Sequence, residues 1–329
     1  MMAEFPEMRL RRWRQTAGVR RLLDAPLPGP EKFLWPVFVA PGRGRQEALA
    51  MLPGQFRYSP DTLLKALAGP VRAGLGGVLI FGVPGDVPKD NLGRAAASPQ
   101  GVVQDTVRRV RRAFPELPVF TDICLCAYTS HGHCGPLDAA GAVANDAALE
   151  QLAAVAVSHA EAGAQAVAPS AMMDGQVRVI RSALDQAGLG NTIIMSYSTK
   201  FASSMYGPFR EAEGSAPQRG DRCGYQASPA NPRLALRESQ LDEAEGADIL
   251  MVKPALFYLD LIRQLRDRTD LPLAAYNVSG EYAMLCAAAA AGYGDLRAMV
   301  RESINAIARA GADLIISYWA SRLGEWHEA

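Results

Sequence analysis

Eight apolar runs of strand length recur along the chain, and most are followed by a helix-like stretch. This alternation limits the possible folds more than any other feature. The runs are Pro36–Val39, Gly77–Phe81, Pro118–Thr121, Gln165–Ala168, Thr192–Tyr197, Asp248–Val252, Leu271–Tyr276 and Asp313–Ser317. They are nearly continuous rather than alternating, as expected of parallel strands buried on both faces. Between them, Asp146–Ala162, Gln176–Gln186, Arg233–Glu245 and Leu256–Arg268 carry a 3.6-residue apolar period. The pairs Ala162–Gly163, Glu245–Gly246 and Ala310–Gly311 put a glycine between a helix-like segment and the next run, where a helix C-cap belongs. Eight such units predict a (β/α)8 TIM barrel over residues 31–329, with a doubly wound open sheet as the rival. Residues 1–30 stand outside the repeat and end in Pro26, Pro28 and Pro30. They read as an N-terminal arm that packs on a neighbouring subunit, or as a flexible tail.

Composition narrows the function classes. With 49% hydrophobic and 21% charged residues the chain can bury a large core. Its 34 basic and 34 acidic residues balance, which argues against nucleic acid as a partner. The one basic concentration, Arg9, Arg11, Arg12, Arg14, Arg20 and Arg21, is short and mixed. No apolar run approaches the roughly 20 residues of a membrane span, and MMAEFPEMRLRRWRQ lacks the apolar core of a secretory signal. The five cysteines do not space as a disulfide framework, so a cytoplasmic, reducing location is expected. The glycines of AGLGGVLIFG precede a strand rather than follow one, so they make no dinucleotide fingerprint.

Three of those cysteines crowd one loop after the third run. Cys124, Cys126 and Cys134 form a C-x-C-x7-C set in TDICLCAYTSHGHCG. Three thiolates and one open position suit a catalytic zinc. Free buried thiols, or a structural zinc closed by His131 or His133, remain as other readings. Cys223 with His133 is a possible second metal pair.

In a barrel the site forms at the C-terminal strand ends, and reactive side chains gather there. Asp122 follows run three, Ser170 run four, Lys200 run five and Lys253 run six; Tyr276 closes run seven, with Ser279 beyond it, and Tyr318 follows run eight. Lys253, after ILMV, is an amine whose charge burial disfavours, and Lys200 belongs to the loop of the neighbouring strand. Two such amines suggest Schiff bases to two carbonyl substrates; a single lysine nucleophile of aldolase type is the alternative. The glycine- and charge-rich stretch of about residues 203–226, with Tyr206, Arg210 and Arg222, reads as a mobile lid whose arginines clamp a carboxylate. Ser279–Gly280–Glu281 reads as a helix N-terminus suited to an anion. A non-enzymatic zinc-binding protein is the reading from a different class.

These segments, together with APSAMMDGQV, IMSYSTKFASSMYGPFREA, GDR, RESQLDEAEGADILMVKPA, YNVSGEYAM and AGADLIISY, resemble the porphobilinogen synthase (δ-aminolevulinate dehydratase) family from about Pro36 to Tyr318. The resemblance implies condensation of two 5-aminolevulinate molecules to porphobilinogen, an early step of tetrapyrrole biosynthesis. By it, Lys253 and Lys200 would be the Schiff-base lysines for the first and second substrate. Cys124, Cys126 and Cys134 would hold zinc, with Asp122 assisting proton transfer. Arg210, Arg222 and Gln226 would bind the second substrate, and Ser279 and Tyr318 the carboxylate of the first. Glu238 matches an allosteric magnesium ligand of some members, against the plainer reading of a surface salt bridge to an arginine. A homo-octamer is implied. Cys223 and Asn277 depart from the family pattern, and residues 1–30 and the tail after Trp319 match it poorly.

Overall fold

The computed structural model describes residues 4–326; the ends of the expected arm and barrel, 1–3 and 327–329, lie outside the described residues. The strands are β1 Phe33–Val39, β2 Gln46–Ala48, β3 Phe56–Tyr58, β4 Gly77–Gly82, β5 Val119–Ile123, β6 Ala166–Pro169, β7 Ile193–Lys200, β8 Ile249–Lys253, β9 Leu273–Asn277 and β10 Leu314–Ser317. All but β2 and β3 pair in parallel order, and β10 pairs with β1 through Phe33↔Ile315 and Leu34↔Ile316. That last pairing closes the sheet. The fold is a (β/α)8 barrel, and closure excludes the open doubly wound sheet.

Each expected run overlaps a barrel strand. β1, β4, β8 and β9 are buried along their whole length, which is why their sequences read as continuous apolar stretches. Strand ends differ from the expectation where local chemistry intervenes. β9 starts at Leu273 rather than Leu271, after Pro272, which has no N–H to give to a ladder. β7 runs on to Lys200, beyond the expected Tyr197. Its polar residues are satisfied internally: Thr199 Oγ1 donates to the Ala235 carbonyl at 3.1 Å, and Ser198 Oγ accepts from Met251 N at 3.3 Å. The hairpin β2–β3 was not foreseen; it joins the barrel through β3 against β1.

Helices cover the strands with the expected period. Val102–Ala113 buries Val103, Val107 and Val110, and Leu296–Ala310 buries Val300, Ile304 and Ile307. The expected Leu256–Arg268 helix divides into a 3-10 turn, Leu256–Tyr258, and an α-helix, Leu259–Arg266. Gly163, Gly246 and Gly311 have φ of 106°, 104° and 120°, the left-handed region that lets each helix stop and its chain turn into the next strand.

Before the barrel, Leu10–Arg14 and Ala17–Leu23 form short helices with no buried residue. Phe5, Met8, Leu10, Trp13, Leu22 and Leu23 are exposed along this arm. No described helix is long and apolar enough to cross a membrane.

Leu79, in the middle of β4, has no exposed surface. Leu79→Ala is expected to lower the unfolding free energy by about 2–5 kcal/mol through lost burial and a residual cavity. Urea denaturation checks this, and a change below about 1 kcal/mol would contradict the packing described here.

Candidate active site

The strand register brings the two lysines together. β7 and β8 are aligned so that Lys200 pairs with Lys253 as the last residue of each strand. Both side chains are buried, at 5% and 4% exposure. The Tyr197 ring serves both: Lys200 Nζ lies 5.5 Å and Lys253 Nζ 4.9 Å from its centroid. Lys253 Nζ also faces Tyr276 at 4.1 Å, Phe209 at 4.9 Å and Tyr206 at 5.4 Å. Lys200 Nζ instead donates to the Ser170 carbonyl. One amine therefore sits in an aromatic box and the other holds a fixed hydrogen bond.

Burial, followed by the like charge of Lys200, lowers the Lys253 pKa to about 7. Asp122 moves the other way, pushed up to about 7 by burial and then by the Glu213 carboxylate, while the ammonium groups and the Ser170 hydroxyl oppose the shift. A buried amine and a buried carboxyl that both titrate near neutrality can exchange protons at little cost, which general acid–base chemistry requires.

The cysteines converge as their spacing suggested. The sulfurs of Cys124, Cys126 and Cys134, all buried, lie within 4.8 Å of one another. Cys124 and Cys126 are 3.3 Å apart. Hydrogen bonds from Cys124 and Cys126 pull the Cys134 thiol well below its ordinary range. Three soft donors with a readily formed thiolate make a group able to hold a metal ion, and among the described residues it is the only such cluster.

The two loop histidines do not complete it. His131 Nε2 contacts the Asn91 carbonyl at 3.3 Å; His133 contacts the Tyr225 hydroxyl at 3.1 Å and the Arg219 carbonyl at 3.0 Å. His133 thereby ties the cysteine loop to the 203–226 segment, and His131 ties it to Asn91. Cys223 is exposed and lines a cleft of about 510 Å³ with His133, Asp174 and Glu238.

The lid lies against the barrel mouth. It contains the turn Ser204–Tyr206 and the helix Gly207–Glu213. Tyr206 Oη donates to the Lys253 carbonyl at 3.1 Å, and Arg222 Nη2 donates to the carbonyls of Gly132 and Ser215 at 3.1 and 2.6 Å. Ser279, the first residue of the helix Ser279–Ala290, accepts from Phe209 N at 3.1 Å and donates to the Met205 carbonyl at 3.3 Å. Its hydroxyl is thus a lid anchor in this state. Gly280 permits that contact, since a Cβ there would meet the Met205 carbonyl oxygen at 2.5 Å. Arg210 Nε, Arg222 Nε, both amide atoms of Gln226 and Asp122 Oδ1 are buried without a partner. Buried polar atoms are rarely left so, and their clustering in the lid and at one strand end marks a pocket built for a polar ligand. Tyr318, also buried, faces Phe38 and Tyr282 at 6.4 and 5.6 Å.

Glu238 is half-buried, and no arginine pairs with it among the described residues. Burial and the nearby Asp174 and Glu245 carboxylates raise its pKa. The salt-bridge reading of this residue is not met. Sequence reasoning missed Tyr197, Phe209 and Glu213. An aromatic in a strand and one acidic residue in a charged lid carry no motif.

A family model described as delta-aminolevulinic acid dehydratase matches residues 7–326. The chain belongs to that family. Its relatives include the delta-aminolevulinic acid dehydratase of Methanothermobacter thermautotrophicus, 53% identical over 97% of both chains. That of Mycobacterium tuberculosis is 46% identical over 99% of both. The dehydratase (porphobilinogen synthase) of Toxoplasma gondii, solved with its product porphobilinogen, superposes with a TM-score of 0.94 at 40% identity, covering 97% of this chain and 91% of that one. The family is metal-dependent in general, and the cysteine trio is a cluster that could hold the ion.

Thiol titration tests the cluster. Cys223 is exposed, Cys286 intermediate and the trio buried. One equivalent of a thiophilic divalent metal is expected to slow modification of Cys124, Cys126 and Cys134 and to leave Cys223 unchanged. Protection of Cys223 in place of the trio would contradict the assignment.

Proposed function

We propose that this chain condenses two 5-aminolevulinate molecules to porphobilinogen with loss of two waters, using Lys253 and Lys200 as separate Schiff-base nucleophiles. The observation that carries this reading is the register pairing of two buried lysines at adjacent strand ends. A single-lysine aldolase would not need the second amine.

With its pKa near 7, Lys253 offers a large neutral fraction at physiological pH and attacks the ketone of the first substrate, expelling water as the imine forms. Lys200 takes the second substrate in the same way. Each lysine leaves when the new bonds close the ring, one carbon–carbon and one carbon–nitrogen, and each is regenerated as a free amine. Asp122 accepts and returns protons beside them. Arg210, Arg222 and Gln226 on the lid clamp the carboxylate of the second substrate, and bidentate arginine contacts suit that group. Tyr318, with Ser279 once the lid shifts, receives the carboxylate of the first; Ser170, Tyr206 and Tyr276 shape the walls. Zinc fits the three sulfurs of Cys124, Cys126 and Cys134 and, when bound, would supply Lewis acidity toward a substrate oxygen.

The wider setting follows from the same reading. The arm, residues 1–30, carries exposed apolar side chains that would be covered by a neighbouring subunit in a homo-octamer. Magnesium at Glu238, beside Asp174, would favour the assembled form by mass action, since it keeps most of its waters and needs one or two carboxylates. Reduced cysteines suit a cytoplasmic location.

Borohydride trapping separates the lysine roles. Lys253→Ala is expected to abolish the first adduct. Lys200→Ala should still trap substrate at Lys253 yet form no pyrrole, and an unchanged adduct in Lys253→Ala would reverse the assignment. Magnesium is expected to raise activity and shift sedimentation toward a larger species, and Glu238→Ala to remove both effects. Profiles indifferent to magnesium in the unmodified protein would end that part of the account.

A further inference from the structure

A carboxylate that no motif predicts lies against the thiol cluster. Glu213 is the last residue of the lid helix Gly207–Glu213 and is only 4% exposed. Its Oε2 stands 3.6 Å from Cys126 Sγ, which donates to it. It also lines a cavity of about 10 Å³ with Asp122, Cys124, Tyr128 and His159. Neither lysine nor arginine forms an ion pair with it among the described residues.

A carboxylate in such surroundings is strongly disfavoured unless a cation or good hydrogen bonds compensate it. The Ser215 hydroxyl and the charges of Arg222 and Lys253 offset part of that cost, and Cys126, a thiol, is a weak donor that adds little. A divalent metal ion at the sulfurs would stabilise it by direct coordination of the carboxylate oxygen. Rigid support fixes the approach: Arg57 donates to the Ala212 carbonyl through Nε at 3.2 Å and Nη2 at 2.6 Å, and Gly214, at φ 66°, ends the helix immediately after Glu213. The carboxylate therefore approaches the cluster from the lid side, 3.6 Å from one of its three sulfurs, and three cysteine ligands leave one position of a tetrahedron to be filled.

We propose that Glu213 is a fourth protein donor of the metal site, delivered by the lid, so that metal occupancy and lid closure stabilise each other. The proposal rests on the reading that the cysteine trio holds a metal. Carboxylate oxygen and thiolate sulfur are both accepted by zinc. If the donor is carried on a lid, the coupling must be reciprocal: what tightens the metal closes the lid, and what opens the lid loosens the metal. Arg210 lies on the same helix, so its position over the mouth follows that of Glu213. Incoming substrate would take the place that the carboxylate gives up, which leaves the trio to hold the metal during turnover.

The test uses full-length protein, stripped of metal and reloaded with zinc or cobalt(II), in the wild type and in Glu213→Gln, Glu213→Ala and Glu213→Asp. Chelator competition should show zinc affinity at least about 10-fold weaker in the Gln and Ala variants, the scale expected when a group that supports a metal site is lost. The Asp variant should recover part of it. The visible cobalt(II) bands should change in the Gln and Ala variants. Trypsin cleavage at the exposed lid residue Arg219 should be slowed by zinc in the wild type and not in Glu213→Ala. Metal-free Glu213→Gln, nearly isosteric and relieved of a buried charge, should unfold at the same temperature as metal-free wild type or higher; a merely structural role would lower it. Wild-type affinity and an unaltered cobalt spectrum in both the Gln and Ala variants would overturn the proposal alone. A wild type that binds neither metal would overturn the thiolate reading and this proposal with it.

Discussion

The site depends on one alignment, the register of β7 against β8 that sets Lys200 beside Lys253 at the end of both strands. A one-residue shift of register between Ser196 and Thr199 sets that alignment: without it Thr199, not Lys200, would stand opposite Lys253. Two amines forced together in a dry pocket cannot both remain charged without cost. The result is a division of labour. Lys200 keeps a carbonyl partner in Ser170, while Lys253, walled by Tyr197, Tyr206, Phe209 and Tyr276, moves toward the neutral form.

Around this pair, the lid and the metal loop behave as one packed unit. Arg222 holds the Gly132 carbonyl, His133 holds Tyr225 and the Arg219 carbonyl, and the Gln218 amide donates to the His131 carbonyl. In this state the unit buries arginine and glutamine atoms that lack a partner and that a polar ligand would satisfy. Exclusion of water strengthens each electrostatic contact inside, and under the proposed function it would shield imines on the lysines from hydrolysis.

Much of this was legible in the sequence. The barrel could be read because strands buried on both faces leave continuous apolar runs, and because Gly163, Gly246 and Gly311 mark where helices end. The cysteine trio could be read because its ligands lie in one short loop. Other features lie outside the reach of local pattern. The hairpin β2–β3 is short and partly exposed, so it carries no apolar signal. Polar Ser198 and Thr199 suggested a loop after Tyr197, yet hydroxyl contacts with the neighbouring helix and strand carry β7 on to Lys200. His131 and His133 looked like metal ligands from proximity alone; their partners come from distant segments. Glu213 is 87 residues from Cys126 in sequence, a separation no motif spans. Ser279 reads as an anion site from its place at a helix start, but the lid occupies its hydroxyl in this state.

The central claim is that burial and the neighbouring Lys200 charge make Lys253 a reactive amine at neutral pH. The most direct measurement is the pH dependence of borohydride trapping at Lys253, read by peptide mass spectrometry in the wild type and in Lys200→Met. Only the neutral amine attacks, so trapping should rise with pH through a midpoint near 7 in the wild type. Removing the like charge should move that midpoint upward. A wild-type midpoint near the ordinary lysine value of 10.5, or the same midpoint in both proteins, would contradict the account.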